Sequence, residues 1–137
     1  MKLSTVASYG LRALSDLCAR ETGVESKPVT VGDIARRQEI PSSYLEQLFA
    51  KLRRGRVVKS VRGAQGGYVL ARPASEITVA EIVKALGEPI VFGDCQTNAG
   101  CSNISDCPTY DLWQKLKTSV DDILESTTLE DLAKRDK

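Results

Sequence analysis

Three cysteines stand at equal spacing in the stretch CQTNAGCSNISDC: Cys95, Cys101 and Cys107, with five residues between neighbours. Thiolates are soft ligands that select iron–sulfur clusters, zinc or Cu(I). Asn98, Gly100, Ser102 and Asn103 are turn formers, which such a stretch needs if its sulfurs are to converge. Three thiolates leave a fourth bond to fill. Zinc would ask for another Cys or His, and the 137-residue chain contains no histidine. The oxygen donors nearby are Tyr110, Asp106, Asp111 and Asp94. The remaining cysteine, Cys18, falls on the apolar stripe of an N-terminal helix and reads as a buried core thiol. The plainer alternative is that all of these are incidental thiols of a reducing compartment.

A second group of residues suits nucleic acid. Between 51 and 72, in KLRRGRVVKSVRGAQGGYVLAR, seven residues are basic and none is acidic. The net charge of +1 conceals this polarity, because residues 1–90 carry 14 Lys+Arg against 9 Asp+Glu and residues 91–137 carry 5 against 9. Just ahead of the basic block, PSSYLEQLFAKLRR places Ser42, Ser43, Tyr44, Glu46 and Gln47 at the start of an amphipathic helix. Such side chains reach base edges in a major groove: Gln pairs bidentately with adenine and Glu accepts from cytosine N4. Lys51, Arg53, Arg54 and Arg56 suit phosphates, which fix position and confer salt dependence. Arg62, with Gly63, Gln65 and Gly66 beside it, suits a narrow minor groove. The competing reading is a helix-turn-helix that binds protein, followed by a hairpin whose glycines serve only a tight turn.

The elements that must carry these residues are legible from periodicity. Val6, Tyr9, Leu11, Leu14, Leu17 and Cys18 repeat at helical spacing. A short helix follows Thr30, which with Asp33 three residues on resembles a capping box. The recognition helix starts at Ser42 or Ser43 and is expected to end at Gly55. RVVKSVRG and GYVLARP change to short β-type runs around GAQGG. Thr78 caps another helix, and a long one starts after Pro108, with Leu112, Leu116, Val120, Ile123 and Leu124 as its stripe. The expected fold is therefore mainly α with a small β-hairpin wing: a winged helix-turn-helix over 1–87, a cysteine loop over 88–108, and a dimerisation helix with a C-terminal arm over 109–137. A long helix cannot bury its stripe against so small a domain, which calls for a second copy. No run of apolar residues is long enough to span a membrane, and the N-terminus lacks a secretory h-region, so a cytoplasmic location is expected. No nucleophile elbow, phosphate loop or convergent acid pair marks an enzyme.

Taken together, SSYLEQLFAKLRR, VVKSVRGAQGGYVLARP, ITVAEIVKAL and the three cysteines before DLW resemble the iron–sulfur cluster regulator (IscR-like) family of winged helix-turn-helix transcription factors. The resemblance runs from MKLST and YGLRAL to TTLEDL, nearly the whole chain. It implies a homodimer on a pseudo-palindromic operator in double-stranded DNA, with half-sites about one helical turn (~34 Å) apart. It implies that the dimerisation helix covers roughly residues 110–126, that Glu46 discriminates between DNA sites and that Arg62 is the wing arginine. It also implies an iron–sulfur cluster on Cys95, Cys101 and Cys107, with 2Fe–2S ahead of 4Fe–4S. In the best-known members a histidine follows the third cysteine by three residues; here that position is Tyr110. The fourth ligand is then Tyr110, a nearby aspartate, a group such as Ser8 or Tyr9 from the other subunit, or solvent. The expected function is a dimeric regulator that senses cluster status or redox and nitrosative stress. A metal-free thiol-switch repressor and an iron–sulfur carrier are the alternatives.

Overall fold

Helical spacing of apolar residues gives way to alternation near Val57, and the backbone changes with it. A computed structural model describes residues 5–21, 28–62, 66–87 and 107–134. Its elements are α1 (Thr5–Glu21), α2 (Val31–Gln38), α3 (Ser42–Arg54), β1 (Val58–Ser60), β2 (Tyr68–Leu70), a 3-10 turn (Ala74–Glu76), α4 (Val79–Ala85), α5 (Tyr110–Ser126) and α6 (Leu129–Ala133). This is the mainly α architecture with a hairpin that the periodicity predicts. Leu14 and Leu17 of α1, Ile34 of α2, Leu45, Leu48, Phe49 and Leu52 of α3, and Ile82 of α4 meet in one core. Cys18 lies in that core, as its place on the stripe suggests. Burying each such Leu, Ile or Phe contributes about 1.5–3 kcal/mol.

Local chemistry sets the helix starts. The Thr30 hydroxyl accepts the Asp33 N–H at 3.1 Å, and the Thr78 hydroxyl accepts the Glu81 N–H at 3.2 Å. The reciprocal half of a capping box is not formed by Asp33, whose carboxylate instead accepts from Arg36 at 2.6 Å. The full box forms at α6, between Thr128 and Asp131. Helix α3 starts at Ser42 behind Pro41, with no side-chain cap.

Helix α3 ends at Gly55, as expected. Gly55 has φ −80°, and the left-handed residue is Arg56 at φ +61°. A Cβ on Gly55 would stand 2.6 Å from Ala85 Cβ of α4, so glycine is needed there for close approach. The turn into β1 then falls on the next residue.

Strands β1 and β2 pair antiparallel, with Val58 opposite Leu70, Lys59 opposite Val69 and Ser60 opposite Tyr68. Tyr68 also exchanges backbone hydrogen bonds with Val29, at 2.9 and 3.1 Å, tying the hairpin to the segment before α2. Gly67, at φ +135°, lies against Pro28 and Val29, where a Cβ would come within 2.9 Å of Pro28 Cβ. The chain after α5 returns to this body: Val79 N–H donates to Thr127 O at 2.9 Å and Leu129 N–H to Ile77 O at 2.8 Å. Leu129 is fully buried in the core, while α5 itself has no buried residue.

Candidate nucleic-acid interface and cysteine loop

Helices α2 and α3 are joined by Glu39, Ile40 and Pro41. Glu39 takes the left-handed conformation at φ 56°, and Ile40 plugs into the core. This fixes the angle at which α3 leaves α2. A polar clamp fixes α2 in turn. Asp16 of α1, almost wholly buried, accepts from Arg37 Nε at 3.1 Å, from an Arg37 terminal nitrogen at 2.6 Å and from Gln38 Nε2 at 3.0 Å. Burial pushes the Asp16 carboxyl up, but the bonds from Arg37 and Gln38 and the Arg37 charge outweigh it and leave its pKa below the usual carboxylate value. Arg12 of α1 adds a bond of 2.6 Å to the Gln38 carbonyl.

With Leu45, Leu48, Phe49 and Leu52 turned inward, the outer face of α3 presents Ser42, Ser43, Glu46 and Gln47, all exposed. Ser42 and Glu46, and Ser43 and Gln47, are four residues apart and so share a face. Arg53 and Arg54 continue it toward the C-terminal end, exposed, while Lys51 is half-buried. Tyr44 differs from its neighbours. Its ring stands edge-on to Tyr9 of α1, with centroids 5.6 Å apart, and Arg12 lies over the other tyrosine at 5.5 Å. That contact ties the start of α3 to α1. Arg62 is exposed two residues beyond β1, and Gly66 takes φ +65° ahead of β2. Gly63 and Gln65 lie outside the described residues.

Two basic groups of the hairpin had no sequence signal of their own: Lys59, in the middle of β1, and Arg72, which follows β2 and is ion-paired with Glu81; Arg56, named for phosphates from the sequence, stands exposed ahead of β1. They belong to the stretch 51–72 that holds seven basic residues and no acidic one; the sequence lacked the hairpin register that sets which of them share a surface.

Of the cysteine loop, Cys107 lies within the described residues, whereas Cys95, Cys101, Asp106 and Asp94 lie outside them. Among the described residues no three His, Cys, Asp or Glu side chains gather as a metal site. Cys107 is half-buried just ahead of α5, with Sγ 3.2 Å from Thr109 Oγ1. Thr109 Oγ1 also accepts from Trp113 Nε1 at 3.1 Å, which leaves its own proton available to the sulfur. The bond with the Thr109 side chain, helped by the Thr109 and Tyr110 backbone, lowers the Cys107 thiol pKa against a small opposing effect of burial. A thiolate at this place fits the donor chemistry of a soft metal or cluster. Tyr110, half-buried, and Asp111, exposed, occupy the first turn of α5 beside it.

An exposed polar face on a helix held by a preceding helix, with a basic hairpin beside it, defines a winged helix-turn-helix DNA-binding regulator. Residues 3–135 match the Rrf2 family, described as iron-dependent transcriptional regulators, and the chain belongs to that family. It is similar to the IscR regulator of Photorhabdus laumondii, with 40% identity over 132 residues that span 96% of this chain and 79% of that one. Among solved structures, CymR, the global cysteine regulator of B. subtilis, is similar with a TM-score of 0.80 and 35% identity, covering 100% of this chain and 99% of its own. The IscR of T. potens gives a TM-score of 0.79 and 39% identity, covering 100% and 89%. The family consists of transcriptional regulators and not enzymes, as the missing catalytic constellation led us to expect. Among the described residues no helix is long and apolar enough to cross a membrane.

Proposed function

We propose that this regulator is a cytoplasmic homodimer that binds a pseudo-palindromic operator and reads iron–sulfur cluster status, or the stress that destroys clusters, through Cys95, Cys101 and Cys107. The observation that carries the reading is the position of Cys107. Its sulfur, whose thiol pKa the Thr109 contact lowers, sits just ahead of α5, a helix that leaves Leu112, Leu116 and Ile123 exposed. The three cysteines would hold a cluster there, and its gain or loss would bias the loop between two arrangements. The chain's own residues do the rest. Thr109 holds the Cys107 sulfur, Tyr110 or Asp111 offers the fourth ligand from the same turn, and α5 connects that turn to the dimer interface. On the DNA, Ser42, Ser43, Glu46 and Gln47 meet base edges, Lys51, Arg53 and Arg54 meet phosphates, and Arg62 with Gly63, Gln65 and Gly66 approaches the minor groove. Tyr44, engaged by Tyr9, positions the helix and offers its hydroxyl to the backbone.

A second reading draws on the likeness to a cysteine regulator. In it, the same cysteines act as thiols without metal. One experiment separates the two. The protein is purified without oxygen, its visible spectrum recorded, iron and acid-labile sulfide counted, and DNA binding measured before and after cluster removal. The cluster reading expects a coloured protein with near-stoichiometric iron and sulfide, and a 5- to 150-fold change in DNA affinity on removal, as about 1–3 kcal/mol of coupling gives. A colourless, iron-free protein with undiminished DNA binding overturns it.

A further inference from the structure

The Cys107 sulfur is joined to α5 through two side chains in series. Thr109 Oγ1 stands 3.2 Å from the sulfur and accepts the Trp113 indole N–H at 3.1 Å. An indole nitrogen is a donor only, and a hydroxyl carries one proton. With the indole bonded to its oxygen, the Thr109 hydroxyl has that proton left to give to the sulfur. Thr109 is exposed, and an unrestrained hydroxyl there would turn to water. The indole bond occupies one lone pair and limits that rotation.

The helix supplies the geometry. Thr109 and Trp113 are four residues apart, a spacing that brings side chains onto one face. Helical side chains lean toward the N-terminus, so the Trp113 ring lies back over Thr109. The backbone closes the same turn, with the Trp113 N–H donating to the Thr109 carbonyl at 3.1 Å. Trp113 is half-buried, and none of the roles above uses it.

We propose that Trp113 and Thr109 form a positioning pair for the metal-ligating sulfur of Cys107: the indole aims the Thr109 hydroxyl, and the hydroxyl holds the sulfur against the first turn of α5. The proposal rests on the reading of Cys107 as a ligand. A partner that orients a ligand from outside the metal's own bonds is worth about 10- to 100-fold in metal affinity. The pair also reaches past the helix start. Trp113 belongs to the body of α5, so a rotation of α5 carries the indole away from Thr109 and releases the proton it aims. The hold on the sulfur thus depends on where the helix lies.

The test uses the full chain, reduced and metal-free, without oxygen, with Co(II) as the probe. Thiolate-to-Co(II) absorption reads binding. Trp113 is the sole tryptophan of the chain, so quenching of its fluorescence by the same Co(II) places the metal beside Cys107. Thr109→Val keeps the side-chain shape and removes the hydroxyl, Thr109→Ser restores a hydroxyl, and Trp113→Phe keeps a ring and removes the N–H. Thr109→Val is expected to weaken Co(II) binding by about 10- to 100-fold. Thr109→Ser should bind as wild type, and Trp113→Phe should weaken binding in the same direction by less. The two Thr109 variants lie on an exposed position and should unfold thermally as wild type does, so a lost affinity is not a lost fold. Equal Co(II) affinity in wild type and Thr109→Val overturns the proposal. So does a loss that Thr109→Ser fails to restore, an unchanged affinity in Trp113→Phe, or a wild type that binds no Co(II). The cluster reading fails separately. A chain purified without iron and sulfide that still shows this Co(II) pattern loses the cluster and keeps the pair. A coloured iron–sulfur protein with equal Co(II) affinity in all variants keeps the cluster and loses the pair.

Discussion

Asp16 shows how one side chain fixes α2 and, through it, the proposed recognition helix α3. Its side chain is 5% exposed and its partner Arg37 is 28% exposed. A buried carboxylate left without a cation is untenable, and a cation left without its carboxylate nearly so. Asp16→Ala is therefore expected to cost about 3 kcal/mol, measured by denaturant unfolding, and to weaken DNA binding through the loosened α2. The pH dependence follows from direction. The folded-state pKa of Asp16 is depressed below its unfolded value, so the folded state binds that proton less readily. The stabilisation is fully present above the unfolded value and is lost as pH falls from about 4 down through the folded value. Asp16→Asn should flatten that part of the acid unfolding curve; an unchanged curve would show that other carboxylates govern it. This clamp was not legible in the sequence, because Arg37 and Gln38 are 21 and 22 residues away and no local spacing links them. The clue was the position of Asp16 on the buried stripe of α1, between Leu14 and Leu17, where an aspartate needs a cation.

At the scale of elements, periodicity carried furthest where the helix stripe was long. α5 runs from Tyr110 to Ser126, the span the family resemblance implies, and Thr30 and Thr78 cap α2 and α4 through their hydroxyls. The approach of one element to another was not legible. Gly55 meets Ala85, 30 residues on, and the left-handed residue at the helix end is Arg56; no local spacing signals either. The Thr78–Thr128 bridge, which joins the start of α4 to the start of α6, had no sequence signal either. The cysteine loop was legible as chemistry but not as geometry, since two of its three sulfurs lie outside the described residues. The α3–α4 contact yields a test. Gly55→Ala places a methyl group 2.6 Å from Ala85 Cβ, and two rigid helices must separate to admit it. The expected cost is about 1–3 kcal/mol. Ala85→Gly removes the obstructing methyl but costs about 1 kcal/mol in helix propensity. The pair Gly55→Ala with Ala85→Gly should therefore be less destabilised than the sum of the two single changes. Strict additivity in unfolding measurements would show that the methyl is accommodated elsewhere.

At the scale of the whole molecule, α5 packs against α4 but buries no side chain fully. Leu112 is 51% exposed, Leu116 37% and Ile123 62%, on a helix of 17 residues with no buried side chain. The rest of the chain has closed around it: Thr127 and Leu129 lock the exit of α5 to Ile77 and Val79, and α6 fills the core against α1. An exposed apolar stripe on a helix fixed at its exit is what a second copy would cover, and two-fold pairing of α5 would set the two α3 helices at a fixed separation. Only such a pair engages two half-sites at once, and tethering the second contact multiplies affinity by about 10²–10⁴ over one half-site. Ile123→Glu places a charge on the most exposed apolar position of the stripe, far in sequence from the proposed base-reading face. It should leave secondary structure and thermal unfolding of the protomer close to wild type, because this side chain packs little within its own chain. Sedimentation should show a dimer for wild type and a monomer for the variant, and affinity for a two-half-site operator should fall toward that for a single half-site. A variant that remains dimeric and binds the operator as wild type does would remove α5 from the interface, and with it the route from Cys107 to the DNA.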